Sequence, residues 1–138
     1  MTTFHGGCHC GDVITQFTVT ASANELVPRR CTCGFCTRVG PRYLSDPTGS
    51  LVLRVADGGG LIRYRFGTQT ADFLMCRRCG IYLGVVCEVE GALRGVVNAN
   101  TLDVELPAPA ALKSFDGEEG AARLARRART WTPAELYA

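Results

Sequence analysis

Three cysteine motifs set the terms on which this chain can fold. Cys8-His9-Cys10, Cys31-Thr32-Cys33-Gly34-Phe35-Cys36 and Cys76-Arg77-Arg78-Cys79 hold all but one of its eight cysteines. Local packing does not call for three thiols within six positions. The Cys31/Cys33/Cys36 triplet reads as three thiolates converging on one metal, which leaves a fourth tetrahedral position for water or substrate. The pairs Cys8/Cys10 and Cys76/Cys79 supply a second, closed, four-sulfur site. Mixed partnerships stay open at this point, with Cys31 or Cys36 joining either pair.

Disulfides are the competing use of so much sulfur, but they suit an oxidising compartment and a domain too small to stabilise itself. At 138 residues, with 46% hydrophobic and 20% charged residues, the chain is long enough to bury a core as one domain spanning residues 1–138. The start, Met1 to Gly7, carries no secretory pattern and no segment has membrane length, so the expected compartment is the cytoplasm and no membrane partner is expected. Cys-x-Cys and Cys-x-x-Cys spacings in that setting favour metal. The sulfur-rich donor set points to zinc, with iron as its competitor. A net charge of +2 is too small for a general nucleic-acid footprint, and nucleic acid is not an expected partner.

Most of the chain reads as strand. Asp12 to Thr20 alternates Val13, Thr15, Phe17 and Val19 against Ile14, Gln16, Thr18 and Thr20, so one face should be buried. Ala21-Ser22-Ala23-Asn24 reads as a turn and Leu26-Val27-Pro28 as a short strand. Leu51 to Val55 and Leu61 to Phe66 read as a hairpin joined by Asp57-Gly58-Gly59-Gly60. Cys76 to Gly80 forms a knuckle between strands, and Ile81 to Val86 is apolar on both faces, as a central strand should be. Leu93 to Val97 is the last expected strand, before a proline-punctuated connector, Leu106-Pro107-Ala108-Pro109.

One helix is expected, over Glu118 to Arg129. Its apolar stripe would be Ala121, Leu124, Ala125 and Ala128, its cap Asp116, and its solvated face Arg123, Arg126 and Arg127. Trp131 reads as an anchor for the tail and Cys87 as a buried apolar residue with no ligand role. Arg38 and Arg42 lie close in sequence to the triplet and are candidates for an anionic ligand, with solvated surface arginines as the plainer reading. His5 is a candidate fourth ligand by residue type, whereas alternation turns His9 away from the metal its neighbours hold.

Gly7-Cys8-x-Cys10-Gly11, Cys31-x-Cys33-x-x-Cys36 and Cys76-x-x-Cys79-Gly80, in that order, resemble the glutathione-dependent formaldehyde-activating enzyme family, which includes centromere protein V. The resemblance runs from about residue 6 to 102, leaving the connector and helix of 103–138 outside it. It implies a mainly β, zinc-bearing, antiparallel, sandwich-like single domain with two Zn²⁺ ions. Cys8, Cys10, Cys76 and Cys79 would hold the structural ion, and Cys31, Cys33 and Cys36 the catalytic one. It also implies a carbon–sulfur lyase that reversibly adds glutathione to formaldehyde. The expected partners are therefore a small thiol and a small aldehyde. The resemblance places no glutathione-binding residues, leaving Arg38, Arg42, Arg77 and Arg78 without a role. It does not bear on oligomeric state.

Two other readings use the same residues. In one, both metals are structural and the basic helix face docks a protein or nucleic-acid partner; in the other, the Cys-x-x-Cys pair cycles between thiol and disulfide.

Overall fold

The computed structural model describes residues 1–20, 26–108 and 112–138 of the chain. The expected turn at Ala21 to Asn24 and the connector's Pro109 lie outside the described residues.

The first strand, β1 (Thr2–Gly7), pairs antiparallel with β2 (Val13–Val19), and β2 pairs with β5 (Ser50–Val55). Strand β2 buries the face its alternation predicts: Val13, Thr15, Phe17 and Val19 are all at most 1% exposed. Strands β6 (Leu61–Tyr64), β7 (Asp72–Cys76), β8 (Tyr82–Val89) and β9 (Ala92–Asn98) follow as an antiparallel run. Between β2 and β5 lie β3 (Arg30–Cys31), the short helix α1 (Gly34–Val39) and β4 (Tyr43–Leu44). After β9 come β10 (Leu112–Lys113), α2 (Gly120–Thr130) and β11 (Thr132–Tyr137).

The mainly β, single-domain architecture with a C-terminal helix is as expected, but its strands depart from the sequence reading in several places. Asp57 to Gly60 does not make a hairpin. Both edges of β5 are taken, by β2 and β11, and β6 turns away to pair with β7. The second departure is β11, a strand beyond the one expected to be last. Its Thr132 and Pro133 pair with β9, and Ala134 to Tyr137 run parallel to β5. By changing partner midway it welds two wings into one nine-stranded sheet. The antiparallel rule also breaks at β3 and β10, which pair parallel. Leu26 to Pro28 is not a strand.

One core draws on both wings, with Phe17 and Leu51 from one and Leu74 and Leu83 from the other. Complete burial of such side chains stabilises the fold by about 1.5–3 kcal/mol each. On the opposite face of β8 and β9, Tyr82, Val85, Cys87 and Val96 form a second cluster with Cys36, Tyr43 and Trp131. Strand β8 is thus covered on both sides, as its apolar run predicts, and Cys87 and Trp131 are buried as expected.

Helix α2 starts later than its pattern suggests. Glu119 precedes it without a side-chain capping bond, and Asp116 is not the cap. Its rotation is also different: Ala121 and Ala125 are exposed, while Arg123, Leu124, Arg127 and Ala128 turn inward. A stripe of alanines offers little area to bury, whereas the arginine stems are long and their heads stack on rings. Arg127 sits over Trp131 at 4.7 Å and Arg126 over Phe115 at 3.7 Å.

Candidate metal centre and adjoining cavity

Cys8 and Cys10 stand in the turn between β1 and β2. Gly7, at φ 150°, ends β1 where a Cβ would run into the carbonyl of Val13, and the Cys8 N–H donates to that carbonyl at 3.0 Å. Cys76 ends β7 and Cys79 lies in the tight turn that follows. That turn is closed by Gly80 N–H donating to Cys76 O at 2.9 Å and by the left-handed φ of 77° at Gly80. Strand pairing brings the two turns together. Cys8, Cys10, Cys76 and Cys79 have their sulfurs within 4.8 Å of one another, with Cys8–Cys10 and Cys10–Cys76 both at 3.6 Å.

This donor set fits a metal. Four sulfurs at about 2.3 Å around a tetrahedral zinc stand about 3.8 Å apart, close to the observed spacing and far from a disulfide bond of about 2.05 Å. Backbone N–H groups steady the sulfurs, from Val13 to Cys8 at 3.2 Å and from Cys79 to Cys76 at 3.5 Å. Partial burial works against ionisation of Cys79. The N–H groups of Ile81, Cys10 and His9 and the contact with Cys76 outweigh it and draw its thiol down to about 6. Arg78 pairs with Asp12 at 3.1 Å, and Arg77 reaches the carbonyls of Gly58 and Gly59. Both arginines therefore brace the knuckle.

The triplet is built differently. Cys31 ends β3, Cys33 caps α1 by accepting from the Cys36 N–H at 3.4 Å, and Cys36 lies buried in the helix's first turn. The three sulfurs gather within 4.8 Å, and among the described residues no histidine or carboxylate joins either group. His5 and His9 are both exposed, and neither is a fourth donor. Hydrogen bonding from Cys36 draws the Cys31 thiol down to about 6 against the opposing effect of burial, while the same contact pushes Cys36 up. Thiolates so close repel one another, so all three ionise together only around a cation. This set also fits a metal ion.

Cys36 Sγ touches Tyr43 Oη at 3.1 Å, and Tyr43 Oη meets Tyr82 Oη at 2.7 Å. Burial raises both phenols well above their ordinary range, so both keep their protons.

The quartet and triplet match the four-plus-three division of the sequence reading. The surroundings of the triplet do not. Arg38 folds back onto the Gly34 carbonyl and Arg42 donates to Asn100 at 2.6 Å. A cavity of about 330 Å³ opens instead on the triplet, with Phe66, Phe73 and Trp131 among its apolar lining and Arg29, Arg123, Arg126 and Arg127 among its polar lining. Helical periodicity assigned three of those arginines to solvent, but Arg127 is only 5% exposed. The available signal was that the stripe assigned to the core is mostly alanine, with little area to bury beside Arg123, Arg126 and Arg127.

Among solved structures, the chain is similar to a Rhodobacter sphaeroides protein whose crystal structure was determined as a Northeast Structural Genomics target. The two are 29% identical with a TM-score of 0.61, over 79% of this chain and 99% of that one. No family model matches the chain. None of the helices among the described residues is long and apolar enough to cross a membrane.

Proposed function

We propose that this chain is a zinc-dependent carbon–sulfur lyase that reversibly joins a thiol such as glutathione to a small aldehyde such as formaldehyde. The observation that carries the proposal is the triplet: three sulfurs without a fourth protein donor among the described residues, lining a cavity large enough for a small molecule. The ordered cysteine motifs shared with the formaldehyde-activating family agree with it. Cys8, Cys10, Cys76 and Cys79 would hold a structural zinc, and Cys31, Cys33 and Cys36 a second one. When bound there, zinc favours an incoming thiol in its deprotonated, nucleophilic form.

The chain's own residues do the rest. The apolar wall formed by Phe66, Phe73 and Trp131 keeps water from the reacting atoms. Toward a Cys36 thiolate the Tyr43 phenol can only donate, which leaves Tyr82 to donate to Tyr43, and the two contacts at 3.1 and 2.7 Å fix the orientation of that sulfur. In the net reaction the thiol gives up its proton, a carbon–sulfur bond forms at the carbonyl carbon, and the carbonyl oxygen gains a proton, yielding a hemithioacetal.

The docking reading loses its surface, because Arg123, Arg126 and Arg127 turn toward the cavity. Because the addition also proceeds unaided, the test is a rate. Zinc-loaded protein should accelerate hemithioacetal formation and breakdown, and Cys33→Ser should abolish the gain. Serine keeps the helix cap but is a poor zinc ligand. Equal rates with wild type, with Cys33→Ser and without protein would overturn the proposal.

A further inference from the structure

The addition of a small thiol to a small aldehyde leaves much of the cavity beside the triplet without a use. Val85 and Val96, opposite each other on β8 and β9, line it together with Ala71 and Trp131. All four belong to the same buried cluster as Cys36, with Cys31 and Cys33 packed against it. Phe66 and Phe73 complete the apolar wall, with ring centroids 4.7 Å apart and both rings only half-buried. At about 330 Å³ the cavity is of a size that holds a whole small molecule, well beyond what a sulfur and a carbonyl group fill.

The arginines of the lining do not offset that character, because each is already engaged by the protein. Arg126 holds Glu118 at 3.1 Å through both Nε and Nη2 and lies over the Phe115 ring. Arg127 donates to Thr70 and lies over Trp131. Arg123 donates to the carbonyls of Phe115 and Glu118, and Arg29 to Ser45. The Nε atoms of Arg123 and Arg127 are sealed from solvent and out of reach of a ligand. An incoming molecule therefore meets mainly hydrocarbon and aromatic surface. Water finds few partners on such walls, and left unfilled they forgo the contacts a flat apolar group would make.

We infer that the wall of Phe66, Phe73, Val85, Val96 and Trp131 is an aryl subsite, selecting a thiol and aldehyde pair of which one member carries an aromatic ring. The ring packs edge or face against Phe66 and Phe73, the geometry aromatic groups prefer, while the reacting sulfur and carbonyl lie toward Cys31, Cys33 and Cys36. A ring on the aldehyde and a ring on the thiol would use the same surface. For its chemistry this inference rests on the thiol-addition reading above, and it narrows that reading to a substrate class.

Two comparisons on the zinc-loaded full chain test it, each rate being divided by the rate of the same pair without protein. Mercaptoethanol with benzaldehyde against mercaptoethanol with acetaldehyde reads a ring on the aldehyde. Formaldehyde with benzyl mercaptan against formaldehyde with propyl mercaptan reads a ring on the thiol. At least one comparison should favour the aryl partner by about tenfold or more, the scale of filling an apolar pocket with one ring. Phe66→Ala, which removes part of the wall, and Ala71→Leu, which narrows the space, should each lower that preference, with thermal midpoints checked to confirm folding. If Ala71→Leu does not fold, half-buried Phe66 carries the test. Trp131 is the chain's only tryptophan and reports binding without catalysis: benzyl alcohol should change its fluorescence saturably, and propanol should not. Equal acceleration of aryl and small pairs in both comparisons would overturn the subsite while leaving thiol addition intact, as would an aryl preference that both variants leave unchanged. No acceleration of any pair would instead overturn the function, and the fluorescence then decides the subsite by itself: a saturable change with benzyl alcohol upholds it and no change overturns it.

Discussion

Asp46 shows how much a single carboxylate can tie together. It is 8% exposed and accepts from the N–H and hydroxyl groups of both Thr20 and Thr48, at 2.8 to 3.0 Å. Its own N–H donates to Thr132 at the start of β11. Burial alone would raise its pKa, but those four donors outweigh it and hold the group at about 2, below an ordinary 3.8. The folded-state pKa is depressed, so the stabilisation is fully present above pH 3.8 and is lost as pH falls through 2. Asp46→Asn should cost about 2 kcal/mol at neutral pH, with the gap from wild type closing between pH 4 and 2 in denaturant titrations. A gap independent of pH would refute this account. Tyr43 makes a second case. Tyr43→Phe leaves the Cys36 sulfur without its phenolic donor, and the proposed addition rate should fall by about tenfold, the value of one hydrogen bond to a charged group, while metal content is unchanged.

Helix α2 and strand β11 act as one device, and Trp131 joins them. Its N–H closes the helix on the Arg127 carbonyl at 2.9 Å, its ring carries Arg127, and β11 starts at the next residue. Trp131→Ala should destabilise the protein by about 3–5 kcal/mol, as for other buried aromatics, and hydrogen exchange should show β11 losing protection before β1 and β2. Unchanged protection in β11 would sever that link. The strand itself was hard to foresee. Six residues, one of them Pro133, with a modest alternation, do not resemble a strand lodged between two others. Thr132 and Pro133 pair on one wing and Ala134 to Tyr137 on the other, which resolves the oddity. The helix misled through its periodicity. Alanines spaced three and four apart mark an inward face when nothing better is available, but a cavity wall had use for guanidinium heads and aliphatic stems.

Across the molecule the two cysteine groups carry different loads. The quartet brings the β1–β2 turn against the β7–β8 turn, so a metal held there would contribute folding energy on the order of 10 kcal/mol. The triplet is local to one short segment and opens on a cavity. Metal analysis should find two ions per chain. Cys33→Ser should lose one and stay folded, whereas Cys76→Ser should lower the melting temperature by roughly 10 °C or more. Equal thermal losses in the two variants would contradict the division of labour. The motifs that hold these sulfurs were legible because each is closed within a few residues: a cap, a tight turn and a glycine act at short range, so residue type and spacing suffice. The same holds for β2 and β8, whose burial follows from an alternation or an unbroken apolar run. Which turn met which, where β5 found its neighbours, and which way the arginines of α2 faced depended on pairing and burial between segments far apart in the chain. Those choices are settled by the total area and charge that the whole fold can bury, a quantity no local stretch of sequence contains.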